Sequence, residues 1–159
     1  PGASLWRRAR CFTDAAPFDP EFVHSGGEDL DLFMRLDNRQ RVTVWYGRAH
    51  AREWVPAERL RFSYMFLRAF SGGQVFAAAT IHNARSPKIT AISLSLLGAG
   101  QCLAGALLVP AQWVNGLVRG RWLTPQLAHL LFRLSCSAGK CAWFRKVPLY
   151  RLETSPKSG

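Results

Sequence analysis

Acidic residues are all but missing from the last hundred residues of this sequence. Residues 60–159 hold twelve lysines and arginines against one acid, Glu153, whereas residues 1–59 hold nine of each sign. The whole of the +11 formal charge is thus carried by the second part. Charge of either sign is absent from Ile89 to Val118. That run is longer than the ~20 helical residues a bilayer core requires. Nucleic-acid binders interleave charge with polar and aromatic residues, so a basic excess flanking a long neutral block points to an anionic membrane surface and away from nucleic acid. The four cysteines, Cys11, Cys102, Cys136 and Cys141, lack zinc or redox spacing and read as reduced thiols. No signal peptide is visible, because the first residues lack an apolar core and a cleavage site. The chain opens on Pro1, which suggests a piece of a longer protein.

The pattern that is present divides the chain near residue 86. Residues 1–86 read as part of an α/β domain, 87–150 as a hydrophobic membrane-associated helical region, and 151–159 as a polar tail. Phe18-Asp-Pro-Glu-Phe22 reads as a loop, since Pro20 disfavours helix before it. Ser25-x-x-Glu28 is a capping-box pattern that predicts a helix to about Leu36. Arg41-Val-Thr-Val-Trp-Tyr46 alternates and is β-rich, which predicts a strand. A second helix is expected over roughly Ala57 to Phe70, with Pro56 near its start and Gly72-Gly73 as its stop. In the neutral run, Pro110 and Gln112 mark an end or a kink, and Trp113 suits an interface. Residues 122–139 are weaker: His129 and Arg133 make a surface-lying or re-entrant helix as acceptable as a span. A buried helical hairpin of a soluble protein is the alternative for 89–118.

The chemistry-bearing feature is Ser25-Gly-Gly-Glu-Asp-Leu-Asp31. Glu28 can reach back to the Ser25 N–H in a capping box. Asp31 can pair with Arg35, four residues on. Asp29 has no such local explanation. It shares a helix face with Leu32 and Phe33, next to a helix N-terminus that favours an anion, as suits a positioned general base.

Residues 18–36 resemble the acceptor-side region of family 2 glycosyltransferases, in which a Phe-Asp-x-x-Phe loop leads to an acidic motif opening a helix. Glu53-Trp-Val-Pro-Ala-Glu-Arg59 and Leu67-Arg-Ala-Phe-Ser-Gly-Gly-Gln74 are similar to bacterial succinoglycan and exopolysaccharide transferases. The resemblance covers roughly residues 5–85. It implies the C-terminal, acceptor-side portion of a GT-A glycosyltransferase domain (fold class α/β), followed by one or two membrane-associated helices. It also implies inverting transfer of a sugar from a nucleotide-sugar donor to a lipid-linked saccharide acceptor, at the cytoplasmic face of the bacterial inner membrane. Asp29 would be the general base, with Glu28 and Asp31 beside it. Arg59, Arg68, Glu53 and His50 would be substrate-binding, by analogy with groups near the donor diphosphate. Each has a plainer reading too, the arginines as lipid contacts and His50 and Glu53 as surface loop groups.

The sequence departs from that family in one respect. The complete enzyme uses a divalent metal, Mg or Mn, held by an Asp-x-Asp at a strand end. Here the only Asp-x-Asp is Asp29-Leu-Asp31, inside the helical motif, so the metal ligands are expected mostly outside this chain. No early run of strands and helices could cradle a nucleotide. Arg121-Trp122 has Val118 where processive synthases carry Gln, which argues for single-sugar addition. The alternative function is a non-catalytic membrane-associated remnant or partner-binding module.

Overall fold

The computed structural model describes residues 7–12, 16–22, 26–40, 44, 47–48, 50 and 52–145. Its α-helices are α1 (Arg8–Cys11), α2 (Glu28–Asn38), α3 (Phe62–His82), α4 (Pro87–Val118) and α5 (Pro125–Cys141), with 3-10 turns at Pro20–Phe22 and Ala57–Leu60. Among the described residues there is no strand or sheet, which overturns the α/β expectation and with it the GT-A fragment. Of the strand expected over Arg41–Tyr46, only Val44 is described, and it lies in no regular element. The rest of that segment, like Ser25 and the polar tail, lies outside the described residues.

The physical reason for an all-helical packing is visible in α3. Gly72-Gly73 was expected to stop the helix, yet α3 continues to His82. A helix-interior glycine costs about 1 kcal/mol relative to alanine. Here Gly73 permits a close crossing instead, since a Cβ would fall on the Cys136 backbone carbonyl of α5. Gly139 of α5 is its counterpart, with the Phe70 carbonyl where its Cβ would stand. Ala69, Gly73 and Ala77 are buried at four-residue intervals along this line. Such small-residue rows let two helix backbones approach without bulky side chains between them.

The α4–α5 hairpin uses the same device. Ala91, Ser95, Gly98, Cys102, Gly105, Val109, Gln112 and Gly116 are buried or half-buried, in alternating steps of four and three. This is the heptad seam of a left-handed helix pair, built mostly from small residues. Leu134 packs at Gly105, and Ser137 Oγ donates to Gln101 Oε1 at 2.9 Å. α4 runs on through Pro110 to Val118. At the turn, Thr124 Oγ accepts the Leu127 N–H at 3.2 Å and Pro125 takes the first helical position, a complete N-terminal signal for α5.

The helices stack in the order α2, α3, α5, α4: α5 packs extensively on both α3 and α4, while α2 and α4 each make a smaller contact with α3. α3 and α5 run parallel, and α4 runs against both. Only 17% of the most apolar stretch of α4 is buried. Ile92, Leu96, Leu103 and Leu107 of α4 all point outward. A core helix of a soluble protein buries such side chains, each worth about 1.5–3 kcal/mol, whereas among the described residues they stand exposed. By length and composition α4 is able to cross a membrane.

Candidate functional site

The acidic motif sits where α2 docks on the C-terminal half of α3. Gly27 is the N-cap of α2 and has φ +102°, a left-handed conformation that side chains other than glycine adopt only with strain. A Cβ there would also collide with the Val75 side chain of α3. The second glycine of the motif thus both turns the chain and seats the helix. Beneath it, Phe22, Ala78 and Ala79 form a buried cluster with Leu30 and Met34 against it.

Asp31 is fully buried. Its Oδ2 accepts from Arg35 Nε at 2.8 Å, the four-residue pairing its spacing implies. Its Oδ1 accepts from Asn83 Nδ2 at 2.8 Å, just beyond the end of α3. Arg35 also donates to the Pro17 carbonyl at 2.6 Å, and Asn38 donates to the Asn83 carbonyl at 3.1 Å. Each oxygen of Asp31 therefore has a directed donor, as a buried carboxylate requires. Asp31 is a tether that joins α2 to the α3–α4 turn.

Asp29 is half-buried, and its Oδ1 accepts the Leu30 N–H at 2.7 Å in the first turn of α2. Glu28 opens the helix, with Oε2 buried and without a hydrogen-bond partner among the described residues. The helix starts with Gly27 rather than Ser25 as its cap, so Glu28 is its first residue. All three acids are thereby brought to one helix start, with Asp31 facing inward and Asp29 nearer the surface.

The proposed substrate-binding residues are not gathered around them. Arg59 lies in the 3-10 turn before α3, whereas α2 docks from Val75 to Asn83. Phe62 and Val75 are about 20 Å apart along the helix axis. Arg68 is exposed between the two, and His50 and Glu53 are exposed outside regular structure.

Sequence reasoning missed a second grouping. Asp19, Glu21 and His82 bring one ligand atom each within 4.8 Å of one another, and His82 Nε2 is 3.6 Å from Asp19 Oδ2. The His82 ring stands edge-on to Phe22, with centroids 6.0 Å apart. Two carboxylates and an imidazole form a mixed oxygen and nitrogen donor set, which suits a transition ion such as Zn or Fe better than the all-oxygen preference of Mg. The Asp-Pro-Glu loop was a local signal for two of these residues; His82, sixty positions on, had none. Asn83 was equally illegible, as its role depends on the α2–α3 docking.

The chain matches no family model, no curated protein and no solved structure.

Proposed function

We propose that this chain is a membrane-seated helical part of a sugar transferase, with Asp29 as general base toward a hydroxyl of a lipid-linked saccharide. The observation that carries this reading is the fixed attachment of the acid-bearing helix to a bundle whose outermost helix exposes almost nothing but apolar side chains. A base for a lipid-linked acceptor must be held at membrane level, and the Gly27–Val75 contact and the Asp31–Asn83 bond hold it there. The nucleotide-sugar donor, and most ligands of a Mg or Mn ion that would neutralise its diphosphate, belong outside the described residues. The proposed location is the cytoplasmic face of a bacterial inner membrane.

The layering α2, α3, α5, α4 supports a particular seat. Asn38 is bonded at the C-terminal end of α3, and Ala57 precedes its N-terminal end. Residues 39–56 connect these ends and carry Arg39, Arg41, Arg48, Arg52 and Glu53. A bilayer crossed along α3 would draw those charges through hydrocarbon, where charged side chains are costly. The bundle instead fits obliquely in one leaflet, with the middle of α4 deepest, the α4–α5 turn rising to headgroup level and α2 on the water side.

The test is Asp29→Asn in membranes that carry the chain together with its donor-binding partner, with transfer of labelled sugar to extractable lipid as the readout. Transfer falling by a hundredfold or more fits a general base; transfer at the normal rate removes Asp29 from that role. The second reading, a non-catalytic membrane module, is favoured by Asp31 having a purely structural role. It predicts that no donor-binding partner restores transfer, while the chain still partitions into lipid.

A further inference from the structure

Between the second half of α4 and the first half of α5 lies a cavity of about 500 Å³. Its wall is divided by chemistry. Leu108 and Leu130 make one part apolar, and Gln112, Gln126, His129 and Arg133 make the other polar. His129 and Arg133 are one helical turn apart and exposed on the same side of α5.

Among the described residues no carboxylate pairs with the cation in this wall. From position 59 to position 152 the sequence contains no aspartate or glutamate. No carboxylate lines the cavity. In the membrane seat proposed above, an arginine in a lipid-facing wall is costly unless an anion meets it, and the membrane surface is the source of that anion.

The surroundings indicate an anion attached to an alkyl chain. Leu108 continues into the outward-facing Leu107 and Leu103 of α4, an apolar track leading away from the polar wall. Next to the cavity, the α4–α5 turn carries Arg119 and Arg121, and Trp113 and Trp122 pack with ring centroids 6.4 Å apart. Paired tryptophans beside arginines mark headgroup depth in a bilayer. A soluble anion would gain nothing from the leucine half of the wall, whereas a lipid phosphate uses both halves.

We propose that this cavity binds the phosphate end of an anionic membrane lipid. The Arg133 guanidinium takes two phosphate oxygens and His129 a third, while the Gln112 and Gln126 amides reach the neighbouring ester or hydroxyl oxygens. The alkyl chain leaves over Leu108 and Leu130 along α4. This rests on the membrane seat proposed above and is independent of sugar transfer.

The experiment uses the full chain reconstituted in phosphatidylcholine nanodiscs doped with phosphatidic acid. Lipid retained by the protein is identified by native mass spectrometry, and the share of tryptophan quenching by brominated phosphatidic acid that is lost in the Trp113→Phe/Trp122→Phe variant reports proximity to that pair among the six tryptophans. Wild-type protein is expected to retain phosphatidic acid over phosphatidylcholine. Arg133→Gln should lower that preference about tenfold, and Arg133→Lys should keep part of it. Arg119→Gln, at the turn and outside the cavity, should leave it within about twofold. Equal retention of both lipids by wild type, or an unchanged preference in Arg133→Gln, overturns the proposal. Full displacement of phosphatidic acid by inorganic phosphate also overturns it, since the site would then be a plain anion site. Failure of wild-type protein to enter the nanodisc at all would instead remove the membrane seat itself. A loss of sugar transfer in Asp29→Asn touches neither result.

Discussion

The two ends of the stacking order obey opposite rules. Where α2 meets α3, large side chains such as Phe22 and Leu32 are buried and a buried carboxylate is matched by directed donors. Where α4 meets α5, the buried residues of α4 are all glycines, those at the start of α5 and along it are Thr124, Leu127 and Ser137, and most leucines of α4 face out. The first arrangement suits water, because it removes apolar surface and confines charge to paired sites. The second gains little from the hydrophobic effect and relies on close backbone packing, which is how helices associate when their surroundings are already apolar. One chain thus carries one interface of the kind formed in water and one of the kind compatible with lipid, and α3 packs against an element of each.

The largest expected effect tests whether these interfaces are separate. Asp31→Ala removes the acceptor for both Arg35 and Asn83 and leaves the guanidinium partly buried. Breaking such a pair costs about 3–5 kcal/mol. Hydrogen exchange should show α2 losing protection while α4 and α5 keep theirs. Equal loss across α4 and α5 would mean a single cooperative unit, and the contrast between the two ends would collapse. The converse change is Gly139→Val, which drives a side chain into the Phe70 carbonyl of α3. Because the obstacle is backbone, a cost of about 3 kcal/mol is expected, read as lost protease resistance between α3 and α5 with the Asp31 network intact.

Leu107→Lys asks what surrounds the second interface. Leu107 is 72% exposed. On a surface facing water the change costs within about 0.5 kcal/mol. Among acyl chains it costs about 2 kcal/mol or more, so the variant should partition measurably less into vesicles than wild type. Equal partition would place α4 against water or another protein.

How much of this was legible depended on the range of the interaction. The helix at Glu28, the Asp31–Arg35 pair and the apolar reach of α4 follow from spacing within a few turns, and the sequence pattern located all three. The expected α/β character came from a resemblance together with the β-rich run at 41–46, neither of which reports on packing. Gly72-Gly73 carries the signature of a helix stop, yet α3 runs through it and Gly73 is a crossing point, because a helix later in the sequence needs its backbone there. The same limit hid Asn83 and His82. A tertiary contact fixes their roles, and no local propensity encodes it.

The smallest effect expected measures depth. Thr124→Ala removes the cap at the start of α5 and frees the Leu127 N–H, for about 1 kcal/mol where water can replace the hydroxyl. In hydrocarbon no water is available, and an unsatisfied N–H costs several kcal/mol. The ratio of the cost in vesicles to the cost in a mild aqueous detergent therefore reports where the α4–α5 turn sits. With Trp113, Trp122, Arg119 and Arg121 around it, the turn belongs at headgroup level, so the two costs should agree within a few tenths of a kcal/mol. A much greater loss in vesicles would move the turn into the acyl layer, and would strip the neighbouring cavity of the phosphate depth on which its lipid specificity depends.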